Sequence, residues 1–279
     1  LGDTYQAIND NVLDWLMEEI GVSEDYASVE AINAALEKIA ARQSEVTAVV
    51  RAYDAAVEQM DYYAGWCDKT AYAGAADFKS AIETARGAVA NPTSTETIAA
   101  ALEVLEKAKF VYVFTQTSDV MDVTRVINDP WFVNESYEPT MDEEGNLVYP
   151  EDAASHLSKE GWTMSFSENL RGATDCTLYF TNDVQQRTTA NLFHSSTAAG
   201  GVLDVQQTIT GLPAGYYEVS ADMSSTSDAT NNHVYATSGG VTKNSPVFSL
   251  IGGAWTAWET LTADKVRVGE DGTLTIGAA

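Results

Sequence analysis

The chain has 279 residues, 45% of them hydrophobic, enough for one large core or two ordinary ones. Its 41 acidic residues against 15 basic ones give a formal net charge of −26. That excludes a nucleic-acid backbone or an anionic membrane face as the main partner, since both would be repelled. No run of about 18 apolar residues is present to span a bilayer, and two cysteines cannot build a disulfide scaffold. The opening residues, Leu1 to Tyr5, hold no basic or apolar segment and no initiator Met, so the lack of a signal peptide says nothing about compartment.

Two patterns divide the chain. Residues 1–117 are rich in Ala, Glu and Leu and hold Pro92 as their only proline, whereas residues 118–279 are rich in Thr, Ser, Gly, Tyr and Val and hold the other five. The first stretch has 8 basic and 19 acidic side chains and the second 7 and 22, so the negative charge is a solvated surface and not an acidic tail. The predicted fold class is α+β and multidomain. An antiparallel helical bundle with one long helix is expected over 1–117, and an antiparallel, jelly-roll-like β-sandwich over 118–279.

The spacing predicts a first helix over 4–20. Ile8, Val12, Trp15, Leu16 and Ile20 form its apolar stripe, Asp3 with Gln6 a capping pair, and Gly21 a stop. The second helix carries the clearest signal. Val29, Ile32, Leu36, Ile39, Gln43, Val46, Val50, Tyr53, Val57, Met60, Ala64 and Cys67 alternate steps of three and four without a slip, and no Gly or Pro interrupts 28–64. One helix from Ser28 to Asp68 is predicted, roughly 60 Å long; the alternative is a break near Arg42 with Ser44 as a new cap. The seven-residue repeat calls for neighbours packed nearly parallel to it, which other helices of the same chain would supply.

A third helix is expected over about 75–90, with Phe78, Ile82, Ala85 and Val89 on one face and Asn91-Pro92 as its stop. Thr93 and Glu96 read as a capping box for a fourth helix, which carries Ile98, Leu102, Leu105 and Tyr112 and runs to about Val113. The four make an up-and-down bundle. Cys67 falls on the buried seam as a small apolar core residue. Cys176 lies in the other domain, and no CxxC or Cys/His spacing points to zinc.

Beyond residue 118 short alternating runs are separated by turn signals. They cover 161–166, 176–180, 191–194, 202–209, 217–223, 233–237, 255–262, 265–268 and 273–276. Tyr217, Val219, Ala221 and Met223 are predicted to point inward, and Tyr216, Glu218, Ser220 and Asp222 outward. The turns Leu212-Pro213-Ala214-Gly215 and Glu270-Asp271-Gly272 read as hairpins. No helical period intervenes, which excludes parallel βαβ units.

Asp122 to Phe132, a stretch reading DVTRVINDPWF with Asp129 set between Asn128 and Pro130, is followed by Gly161-Trp162. It resembles the opening of carbohydrate-binding-type, galactose-binding-like sandwiches in secreted and surface-anchored proteins of the Bacteroides group. Val205 to Tyr217 resembles the same family's strand pair, and Trp258 to Ile276 its late strands, without the family's final strand. Residues 77–112 are similar to a FIVAR-like helical repeat. The resemblance implies export to the outer cell surface or periplasm, anchored through lipid in a segment beyond this sequence. It also implies a carbohydrate partner, leaves room for a structural calcium, and implies no catalytic centre.

The residues themselves show little chemistry. There is no HExxH, GxSxG, GxGxxG or P-loop spacing, and His156, His194 and His233 stand far apart. No cofactor is expected. Sugar binding needs flat aromatic faces with polar groups at the rim. Trp255 and Trp258 are three apart and face opposite sides of a strand. Trp258 begins the strand, which leaves Trp255 for the surface; Trp131 is the second candidate. Trp162 reads as a core anchor. The long acidic segment 134–160 adds Tyr137 and Tyr149, and its carboxylates are candidate calcium ligands, although the spacing is not that of an EF-hand. The expected function is a non-catalytic secreted or surface protein that binds glycan through its sandwich, raised on a helical spacer. The alternatives are a structural or adhesive protein that binds a protein partner, and an accessory region of a glycoside hydrolase.

Overall fold

In a computed structural model the chain divides into two compact units, Leu1–Val123 and Thr124–Ala279. The structure describes residues 5–21, 28–92, 94–132, 140–141, 147–148, 158–166, 177–180, 190–193, 203–223, 231–247 and 258–279.

In the first unit α1 spans Gln6–Trp15 and widens into a π-helical turn, Leu16–Ile20, before Gly21 ends it at φ 69°. Its cap residue is Tyr5, with no side-chain cap, and Asp3 lies outside the described residues. Helix α2 spans Val29–Thr70 without a break near Arg42, 42 residues and roughly 63 Å. Ser28 caps it, its Oγ accepting from the Ala31 amide at 3.2 Å. Helices α3, Ala75–Val89, and α4, Thr95–Val113, follow. The α4 cap is Ser94, whose Oγ accepts from the Thr97 amide at 3.4 Å, in place of the expected Thr93–Glu96 box; Thr93 lies outside the described residues. The Ser94 hydroxyl also holds the Glu96 carboxyl below the usual glutamate range.

The C-terminal half of α2 packs with α3 and α4 around an aromatic core. Tyr63, Phe78 and Tyr112 are fully buried, and the rings of Phe78 and Tyr112 stack at 4.8 Å. Trp66 stands edge-on to both. Cys67 is buried as expected, its thiol 3.5 Å from the Ala75 carbonyl oxygen. Lys109 is a buried charge that no apolar stripe anticipates. It is tolerated because Glu106 pairs with it at 2.6 Å and the Tyr63 ring lies beneath it. Glu106 also accepts from the Tyr63 hydroxyl and the Gln59 amide.

The seven-residue seam is covered only in part. Of that series only Met60 and Cys67 are buried and Val46, Val50, Tyr53, Val57 and Ala64 are half-buried, the other buried residues of α2 (Val49, Ala56, Tyr63 and Trp66) lying beside the seam, whereas Val29, Ile32, Leu36 and Ile39 remain 68, 46, 57 and 36% exposed. The reason is length: α3 and α4, with 15 and 19 residues, cannot flank 42 residues of α2. The N-terminal half of α2 has α1 instead, running antiparallel along the adjoining edge. The Tyr5 hydroxyl donates to Asp54 at 2.8 Å, Arg42 to Asn11, and Lys38 to Glu19 at 3.1 Å. The expected four-helix bundle is therefore a three-helix packing of α3 and α4 with one half of α2, and a two-helix arm of α1 with the other half.

The second unit begins with a 3₁₀ turn, Thr124–Val126, and all further regular structure among its described residues is strand. The strands are β1 Thr140–Met141, β2 Leu147–Val148, β3 Thr163–Phe166, β4 Thr177–Phe180, β5 Ala190–Phe193, β6 Leu203–Ile209, β7 Gly215–Met223, β8 Val234–Ser238, β9 Val241–Asn244, β10 Glu259–Val268 and β11 Leu274–Ala278. All pairings are antiparallel. One sheet has five strands in the order β3-β6-β11-β8-β9; β7 pairs with β10, β4 with β5, and β1 with β2. The acidic segment 134–160 thus contains a short strand pair. Strand β10 joins two predicted runs through a bulge between Ala263 and Val266, where Lys265 takes φ 53°. In β7, Tyr217, Val219 and Met223 are the more covered residues, as predicted, but Ala221 is exposed.

Neither predicted hairpin pairs its own flanking strands. The turn after β6 leads from the five-stranded sheet to β7, and Gly269–Thr273 leads from β10 back to β11. The two turns dock on each other instead. The Leu212 amide donates to the Gly272 carbonyl at 3.0 Å, and a Cβ on Gly272 would lie 2.8 Å from the Leu212 oxygen. Among the described residues the tight hairpin is β8–β9, through Gly239-Gly240, both at positive φ. Val234 of the five-stranded sheet and Leu261 of β10 share a buried cluster onto which Val219 and Met223 pack.

Candidate functional site

The five-stranded sheet buries one face. Val205, Gln207 and Ile209 of β6, Val234, Ala236 and Ser238 of β8, and Leu274 and Ile276 of β11 are buried. By the two-residue period their neighbours form the opposite face. The register sets these into rows across the strands. One row is Asn244, Tyr235, Gly277, Gln206 and Thr163, from β9 to β3. The next is Thr242, Thr237, Thr275 and Thr208. Its hydroxyls pair at 2.8 Å (Thr237 with Thr242) and 2.9 Å (Thr208 with Thr275). Asp204 and Ser165 sit opposite each other on the other side of the first row. The face is polar throughout except for one ring.

That ring belongs to Tyr235. A residue in β8 cannot reach β6 unless its side chain lies along the sheet, and Tyr235 does so across Gly277. A Cβ built on Gly277 would fall 2.5 Å from Tyr235 Cζ and 2.6 Å from its hydroxyl oxygen. Glycine within the strand is therefore the gap in which the ring rests. At its far end the hydroxyl donates to Asp204 Oδ1 at 2.7 Å, with Gln206 Oε1 at 3.5 Å. The His233 ring, on the same side of β8, lies 6.2 Å from that of Tyr235. Burial, and then the hydrogen bond that the phenol donates to the Asp204 carboxylate, push Tyr235 well above the ordinary tyrosine range. The ring is half-buried, braced from below and at its tip, and rimmed by a carboxylate, an amide and hydroxyls.

No protein-family model matches this sequence, and no curated protein or solved structure matches it either.

Of the residues predicted from sequence, only Trp131 lies in described structure; Trp255, Tyr137 and Tyr149 fall outside the described residues. Trp131 is half-buried, and the Arg125 guanidinium stands 5.8 Å from its ring centre, over one face. Trp162 anchors its neighbourhood. Its Nε1 donates to the Asp129 carbonyl at 3.1 Å, and its ring leans on Phe132 at 5.3 Å. Asp129 is buried at φ 44°, and its carboxylate accepts from the Glu160 amide at 3.0 Å and from Ser158. Buried Gln207 brackets Asn128, its Oε1 accepting from the Asn128 amide at 2.8 Å and its Nε2 donating to the Asn128 carbonyl at 3.0 Å. Gly161 has no room for a Cβ against Asn128. The Asn-Asp-Pro and Gly-Trp motifs are thus a structural latch. Among the described residues no group of three or more His, Cys, Asp or Glu side chains is placed to hold a metal ion, and no helix is long and apolar enough to cross a membrane.

Sequence reasoning missed Tyr235, Asp204 and Gln206. Two signals were present. Alternation over Val234–Ser238 puts Tyr235 outward, and a glycine inside the last strand marks a close approach.

Proposed function

We propose that this chain binds neutral glycan, without catalysis, on the outer face of its five-stranded sheet, with Tyr235 as the stacking platform. The observation that carries the reading is the Tyr235 ring laid across Gly277 with its hydroxyl tied to Asp204. A pyranose presents a flat patch of C–H bonds, which suits an aromatic face held in advance, because little side-chain entropy is then lost on binding. Asp204, Gln206, Thr163, Ser165 and Asn244 supply acceptors and donors for the sugar's hydroxyls. Asp204 and the net charge of −26 disfavour sulfated or uronic sugars and favour uncharged ones. Tyr216 is more exposed, at 74%, but stands on the outer side of the two-stranded sheet.

In this reading the strands form a jelly-roll-like sandwich and the helical unit is its spacer. The address is the outside of a cell, as the Bacteroides-group resemblance implies. The test is a titration of the full chain with a panel of neutral oligosaccharides, followed by heteronuclear NMR. Tyr235→Ala should abolish binding, Asp204→Ala should weaken it several-fold, and Tyr216→Ala should leave it unchanged. Binding that survives Tyr235→Ala, or no neutral sugar bound at all, refutes the reading.

A further inference from the structure

The α1–α2 arm carries an exposed apolar face. On α2 it holds Val29, Ile32, Leu36 and Ile39, all exposed. Helical geometry sets Gln43, Ala40, Asn33 and Ser44 beside them, so the strip has no ionisable side chain; Glu30, Glu37, Lys38, Arg42 and Glu45 point elsewhere around the helix. In an antiparallel pair, residues one step beyond the facing positions emerge on the same side of both helices. Val12 and Leu16 are among the half-buried residues of α1, and Leu13 and Met17, each one step on, are 59 and 68% exposed. Lys38–Glu19 and Arg42–Asn11 set the heights, which bring Met17 beside Ile39 and Leu13 beside Gln43. The result is a largely apolar face, interrupted by Gln43 and bordered on α1 by Asp10 and Asp14, in a chain of net charge −26.

We infer that this face is the contact surface for a second copy of the same chain. Three observations select that occupant. The steps of three and four that run through half-buried Val46, Val50, Tyr53 and Val57 to buried Met60 and Cys67 also pass through Val29–Ile39, so the strip is shaped for another helix lying nearly parallel to it. A two-fold axis at Leu36 sets Leu36 against Leu36 of the second copy and Ile32 against Ile39, so the strip is complementary to itself. Elsewhere the acidic surface opposes self-association, and along the α2 strip, which holds no carboxylate, it does not. Six side chains roughly half bare offer about 600 Å² per copy, so a symmetric pair removes about 1,200 Å² from water, the lower bound of a specific interface. The dimer is therefore weak and concentration-dependent.

Sedimentation velocity on the full chain, from low to several hundred micromolar, should show a reversible monomer–dimer equilibrium. Leu36→Glu should weaken it at least tenfold with an unchanged circular dichroism spectrum, since the side chain is already 57% exposed. Under mild oxidation Leu36→Cys should form a covalent dimer, while Glu45→Cys on the opposite side and the unsubstituted chain should not. A monomer at every concentration overturns the inference, as it would if the strip serves an unrelated protein. A dimer indifferent to Leu36→Glu, or equal cross-linking from Glu45→Cys, overturns it as well.

Discussion

Replacing Gly277 with alanine tests the geometry on which the site rests. The new Cβ would stand 2.5 Å from Tyr235 Cζ, 2.6 Å from its oxygen and 2.7 Å from the Val205 carbonyl oxygen. Comfortable carbon contacts begin at about 3.5 Å, so the overlap with the ring is about 1 Å. The ring can swing out, which gives up the bond to Asp204; the Val205 carbonyl is held in the β6–β11 ladder and yields only by a backbone shift. Overpacking of this kind costs about 1–3 kcal/mol. Losing a half-exposed bond to a carboxylate adds about 1 kcal/mol. We expect about 3 kcal/mol in the wild-type background.

In a Tyr235→Ala background the ring and its bond are already gone, and only the Val205 contact remains, about 1 kcal/mol. The cycle should therefore show a coupling of about 2 kcal/mol. Hydrogen-exchange mass spectrometry on peptides from β6, β8 and β11 reads the local opening free energy without requiring the two units to unfold together. Two substitutions that add to within about 0.5 kcal/mol would show that the ring does not rest on Gly277, and the proposed platform would fall with that result.

Two further outcomes follow from the structure. Tyr235 has its phenol raised above its unfolded value near 10, by burial first and then by Asp204, so its contribution to stability is complete below about pH 10 and declines as pH rises beyond that; Tyr235→Phe should flatten part of the alkaline fall in the exchange protection of β8, and an unchanged slope would contradict the burial and bonding of the phenol. Ala71 ends α2 in the left-handed conformation at φ 48°, where a Cβ is penalised, so Ala71→Gly should raise the stability of the helical unit by about 0.5–1 kcal/mol in urea unfolding followed at 222 nm, and a loss of stability would refute the strain.

The helices were legible because their signals are local. Steps of three and four, the break at Asn91-Pro92 and the start of α2 at Ser28 act within one or two turns, and burial on the predicted faces of α3 and α4 followed from them. Strand alternation was equally local, which is why β3, β6, β7, β8 and β11 fall close to where the pattern put them. Which strand pairs with which is not local. The segments Gly211–Gly215 and Gly269–Thr273 look like hairpin turns, yet both connect separate sheets, because each strand pairs where its apolar face can be covered. The seam of α2 is uniform in sequence, but its burial depends on how far α3 and α4 reach. The Tyr235 ring is held flat on the sheet only because Gly277, 42 positions later in the numbering, arrives beside it and Asp204 comes to lie beyond. Sequence alone therefore determined most of the helices and strands and the inward faces of α3 and α4, whose causes lie within a few residues. Tertiary structure decided strand partners, what stays uncovered and the site, because those depend on residues brought together only when the chain closes on itself.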